Sequence, residues 1–143
     1  MKFVGLVSLA VLTFTIAAPA HADTTAKGYL RDSARALKLQ DWTGAVRLAR
    51  AAIADQNVSE ADAMMAHTNL CVGLVNLHDS EALAACNKSV ELTNGYWGCL
   101  VNRGHLYTQL GERKLAEADF AKAAEINPQA TDLRRVEIGR AHV

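Results

Sequence analysis

Three cysteines, Cys71, Cys86 and Cys99, and four histidines outside the first 22 residues, His67, His78, His105 and His142, are the side chains whose types could ligate a metal or act as nucleophile and base. His67 and Cys71 stand four apart, a spacing that puts both on one side of a helix, but a structural zinc site normally needs four ligands and only Cys86 offers a third. A catalytic Cys–His dyad needs an open, electropositive setting, whereas Cys71 falls in an apolar packing register. No HExxH, G-x-S-x-G, phosphate-binding loop or dinucleotide-binding glycine pattern occurs. The cysteines are 15 and 13 residues apart, so no C-x-x-C supports a thiol-redox protein. The expectation is a non-catalytic chain with no metal and no cofactor, whose cysteines serve structure.

The elements that would position these residues are helices. Met1–Ala22 reads first as an export signal: Lys2 supplies the positive start, Phe3–Ala18 the apolar run, and Ala20-His21-Ala22 an A-x-A cleavage site. The run is sixteen residues, diluted by Ser8, Thr13 and Thr15, and short for a span, which needs about 20, so a cleaved leader and no membrane insertion are expected. A mature chain from Asp23 to Val143 would be periplasmic or secreted. Of the 15 Lys and Arg, losing Lys2 leaves 14 against 15 Asp and Glu, a balance that calls for neither nucleic acid nor an anionic surface. No proline interrupts residues 23–127, and Ala and Leu recur at helical spacing without sustained strand alternation. Thr24 or Thr25 caps a helix over 26–37, Asp41 one over 42–54, and Ser59 with Asp62, close to a capping box, opens a third reaching residue 77.

The segment 96–128 reads as two short helices joined at Gly111, and the segment before it is a copy. Ala82, Cys86 and Ser89 each lie 34 residues before Ala116, Phe120 and Ala123; Asn69, Cys71 and Leu74 lie 33 before Asn102, Gly104 and Tyr107. Ala45 precedes Ala82 by 37, with the extra residues in the linker around 55–59. Gly104, Tyr107, Ala116, Phe120 and Pro128 fall at the spacings of the tetratricopeptide (TPR) signature, with Leu100 and Arg103 as departures, so the segment resembles a TPR repeat. The resemblance implies an all-α fold: three TPR helix-turn-helix repeats, near 26–55, 60–93 and 97–130, stacked as a short right-handed solenoid within one domain over 23–143. A capping helix near 131–141 follows, with Leu133, Val136 and Ile138 inward and Arg134, Arg135, Glu137 and Arg140 outward.

Two pairings follow. Cys71 and Cys86 average to position 78.5, inside the turn at His78-Asp79, so they stand at equal height on facing helices and are expected to form a disulfide in an oxidising compartment. Pairing Cys86 with Cys99 leaves a height mismatch of about 6 Å, nearly the whole Cα separation a disulfide permits. Cys99 is left free, near the start of its helix, where it could join a homodimer. Asn102-Arg103-Gly104 and Asp119-Phe120 resemble TPR repeats with those tripeptide and dipeptide elements, and Arg103 and Asp119 average to Gly111, so an ion pair across the hairpin is expected.

The resemblance also implies function: a protein-interaction module whose concave face, lined by the first helix of each pair, holds a protein or peptide. The groove residues expected are Thr68, Asn69, Val72 and Asn76, then Val101, Asn102, His105 and Gln109, with Leu30, Ala34 and Lys38 extending the surface. That set is mostly neutral, so salt-insensitive binding is expected. Of the positions that hold a peptide carboxylate in some family members only Asn69 matches; Leu30, Ala34, Gly98 and Asn102 stand at the others. The competing readings are a structural subunit of a cell-envelope assembly and a thiol-redox protein.

Overall fold

The computed structural model describes residues 24–129. They form six helices and no strand: α1 (Ala26–Lys38), α2 (Trp42–Ala54), α3 (Glu60–Asn76), α4 (Ala82–Leu92), α5 (Trp97–Gln109) and α6 (Arg113–Ile126). The leader expected at 1–22 and the capping helix expected at 131–141 lie outside the described residues.

Local chemistry sets the boundaries. Thr25 accepts from the Gly28 amide and Asp41 from the Gly44 amide, each satisfying a donor that the first helical turn leaves open. Ser59 accepts from the Asp62 amide, and its hydroxyl donates to the Asp62 carboxylate at 2.7 Å. The return bond to the Ser59 amide that would complete a capping box is replaced by that contact. Asp55 does what spacing did not reveal: its Oδ2 accepts from the Ala26 amide at 2.7 Å, so the end of α2 caps the start of α1.

All three hairpins close alike. Gln40, His78 and Gly111 adopt positive φ, at 59°, 52° and 76°. After each, an amide reaches back to the helix: Asp41 to the Ala36 carbonyl at 2.9 Å, Asp79 to Leu74 at 3.0 Å, and Glu112 to Tyr107 at 2.9 Å. This is the left-handed helix stop usually given to glycine. Gln and His occupy it in the first two hairpins.

Each helix packs on its neighbours in sequence, and α3 also touches α1 and α5. The backbones of the second helices α2, α4 and α6 stay apart, with no Cα of one within 8 Å of a Cα of another. The first helices therefore form the inner, more tightly spaced layer and the second helices a splayed outer one, as in a short solenoid. Three apolar clusters run along it. Leu30, Ala52 and Ala66 fill the first; Val46, Cys71, Leu74, Val75, Ala82, Ala85, Cys86 and Leu106 the second; Leu100, Val101 and Ala123 the third.

Seven residues before each turn stands a small residue, Ser33, Cys71 or Gly104, that joins its hairpin partner, and each does so differently. Ser33, wholly buried, donates to the Ala45 carbonyl at 3.0 Å. Cys71 bonds covalently to Cys86. Gly104 lets the Phe120 ring lie where a side chain would stand: a Cβ there would be 2.7 Å from the ring. Gly104→Ala is expected to lower stability by about 1–3 kcal/mol, the usual cost of overpacking. A urea midpoint that does not move would mean the ring can swing aside freely.

Candidate polypeptide-binding face

The turn residues Gln40, His78 and Gly111 give the three inner helices a common register, read backwards from each turn. Lys27, Met65 and Gly98 are then equivalent, as are Arg31, Asn69 and Asn102; Ala34, Val72 and His105; and Lys38, Asn76 and Gln109. At helical periodicity these positions make one stripe on each helix. It lies away from the hairpin register of Ser33, Cys71 and Gly104 and forms the concave face.

Six of the eight expected groove residues belong to this stripe, and two do not. Val101 is buried, 6% exposed, in the third cluster. Thr68 turns toward the next repeat: its hydroxyl donates to the Met64 carbonyl at 2.9 Å and meets Ser89 Oγ at 3.0 Å and Cys99 Sγ at 3.4 Å. Leu30 shares their register and is buried with Ala52 and Ala66. An inner helix of a stack buries two faces, one on its hairpin partner and one on the neighbouring repeat: Leu30 meets Ala66 and Thr68 meets Cys99 across to the next hairpin, while Val101 packs with Leu100 and Ala123. Met65, exposed on α3, and Lys27 and Arg31 on α1 are the groove residues that a single-face reading misses.

Within the face, Asn76 spends its amide on its own helix, donating to the Val72 carbonyl at 2.8 Å. His105 sets its ring against Phe120, centroids 5.2 Å apart, so it is as much a wall of the hairpin as a groove group. Gln109 is exposed and Asn102 half-buried. Asn69 differs: its Nδ2 is buried and finds no acceptor in the described protein. A buried amide donor left unsatisfied costs about 1–3 kcal/mol, a cost that an incoming carbonyl oxygen would remove.

Arg103 and the bonded cysteines hold helices together. Arg103 grips Asp119 with two bonds of 2.7 Å, reaches Asn87 at 3.0 Å, and stacks over the Tyr107 ring at 5.7 Å, joining α4, α5 and α6. The hydrogen bonds that Arg103 donates to the Asp119 carboxylate raise its pKa above the ordinary value. Burial, with Lys88 nearby, lowers that of His67, whose Nδ1 is buried without a partner. Cys71 and Cys86 lie with Cα atoms 4.7 Å apart, both fully buried. Cys99 is 1% exposed beneath Thr68, so its thiol cannot reach a second molecule, and the homodimer expected through it is not available to the folded chain. Among the described residues no three His, Cys, Asp or Glu side chains gather as a metal site, and no helix is long and apolar enough to cross a membrane.

No curated protein matches the chain. Residues 98–130, which hold nearly all of α5 and the whole of α6, match the family model of the tetratricopeptide repeat. Over its described residues the chain is thus all-helical, and its third hairpin, similar to a tetratricopeptide repeat, is stacked on two hairpins that end their first helices with the same turn.

Proposed function

We propose that this chain is an exported, non-catalytic interaction module that holds an extended stretch of polypeptide on the concave face of α1, α3 and α5. The observation that carries the reading is the unpartnered Asn69 Nδ2, with Asn102 at the equivalent position on α5. Two half-buried amides in register on adjacent inner helices suit the carbonyls and amides of an extended backbone, which presents them whatever its side chains. The likeness of 98–130 to a tetratricopeptide repeat, a family whose members commonly bind proteins, supports the same reading. A disulfide in a small chain is in keeping with an oxidising compartment, as is the leader-like composition of residues 1–22. Burial of both bonded sulfurs and of Cys99 speaks against a thiol-exchange enzyme, whose sulfurs must meet their substrate.

The test is to pan a peptide phage library against the purified chain and to measure the selected peptides on an Asn69→Ala, Asn102→Ala variant. Loss of two hydrogen bonds should weaken binding by about tenfold or more, with helicity unchanged. Lys122→Ala, on the exposed surface of α6, should leave it alone. Equal binding by the double variant would place the site off the concave face.

A further inference from the structure

The register set by the three turns changes the electrostatics of the concave face. Where α3 presents Met65, Asn69, Val72 and Asn76, and α5 presents Gly98, Asn102, His105 and Gln109, α1 presents Lys27, Arg31, Ala34 and Lys38. Arg35 adds a fourth cation on the adjoining edge. All four are exposed, and by helical geometry they occupy a stripe roughly 80° wide and about 16 Å long. The face is therefore not neutral, as Leu30 and its neighbours had implied, but cationic along one inner helix.

This concentration is local, since the whole chain carries 15 basic and 15 acidic residues. The one carboxylate on α1, Asp32, lies 3.1 Å from Arg31. Lys27, Arg35 and Lys38 form no ion pair among the described residues. Helix stability explains half of the stripe, because Arg35 and Lys38 lie in the last turn, where the helix dipole favours cations. It does not explain Lys27, which sits in a first turn that holds no acidic residue and where a cation opposes the dipole.

We propose that the preferred occupant of the concave face is an acidic segment of polypeptide that runs along α1, its carboxylates on the cations of that helix and its backbone against Asn69 of the neighbouring α3. The proposal rests on the groove reading above and adds the chemical class of the partner. The other polyanions fit less well. The stripe lies on an inward-curving face that a flat bilayer cannot meet, and the groove register holds no Phe, Tyr or Trp on which nucleic-acid bases would stack. Successive cations one turn apart rise about 6 Å along the helix, close to the roughly 6.6 Å between alternate residues of an extended strand. Acidic residues at every second position would each meet one.

The test compares two fluorescent dodecapeptides, one with Glu at alternate positions and one with Gln in their place, by anisotropy with the purified full chain. The Glu peptide is expected to bind about tenfold or more tightly at low salt, and to lose that advantage as salt screens exposed charges. Lys27→Gln, Arg35→Gln and Lys38→Gln together should abolish the difference. Arg113→Gln, Lys114→Gln and Lys122→Gln on α6, which remove the same charge elsewhere, should preserve it. Equal binding of the two peptides would overturn the charge preference while leaving the groove reading standing. So would tighter binding of an oligothymidylate or of phosphatidylglycerol vesicles than of the Glu peptide. Loss of the Glu preference in the α6 variant would overturn the assignment to α1.

Discussion

Reduction of the Cys71–Cys86 bridge is expected to lower the stability of the folded chain by about 3 kcal/mol, the chain-entropy value for a loop of about 15 residues. The loss falls on the middle hairpin, whose bonded pair takes the place of the Gly104–Phe120 contact of the third. α3 packs on α1, α2, α4 and α5, so loosening it weakens both flanking hairpins. In a stack whose stability is a sum over repeats and their interfaces, the middle unit has the most to lose. Urea unfolding of the Cys71→Ser, Cys86→Ser variant should therefore show a clearly lower midpoint than the parent. Because both sulfurs are buried, reductant should act on the native protein only as fast as the hairpin opens. Cys99→Ser should be close to neutral, since a hydroxyl there can still meet Thr68. Coincident unfolding curves for the parent and the double serine variant would refute the stabilising role.

The second large effect is expected at Arg103 and Asp119. Their side chains are 21% and 9% exposed, so removing Asp119 strands a guanidinium that keeps only Asn87 and the Tyr107 ring. Breaking one side of a fully buried pair costs about 3–5 kcal/mol; the partial exposure of Arg103 brings the expectation for Asp119→Ala to about 2–4 kcal/mol. Replacing both residues, as Arg103→Met with Asp119→Leu, should recover much of that, because desolvation of the pair offsets most of its attraction. A double-mutant cycle to alanine should give a coupling of about 1 kcal/mol or more. Additive single effects would mean that the two act independently.

What could be read from the residues, and what could not, divides along a physical line. Local determinants were legible: Asp41 and Ser59 marked their helix starts, and Thr24 or Thr25 the first, where the structure selects Thr25. Equal distance from a turn was legible too, because antiparallel helices turn sequence separation into height, and Cys71 and Cys86 meet across the turn at His78. The contact between one repeat and the next was not. A helical stripe says that a face is buried without saying how many faces are, so Thr68 and Leu30 were placed in the groove when they face the seam with the following repeat, and Val101 when it is buried with Leu100 and Ala123. The same seam hides Cys99. The first turn was also obscure, since Gln40 takes a left-handed conformation that composition assigns to glycine, and without it α1 had no register against α3. That gap concealed the cations.

The most direct test of the concave-face assignment is amide chemical-shift mapping of the isotope-labelled full chain, titrated with a peptide selected by panning. The expected result is saturable shifts centred on Arg31, Asn69, Val72 and Asn102 of the inner helices, while Arg47, Lys88 and Lys122, exposed on α2, α4 and α6, stay in place. Shifts centred on those outer residues, with the inner stripe unmoved, would contradict it.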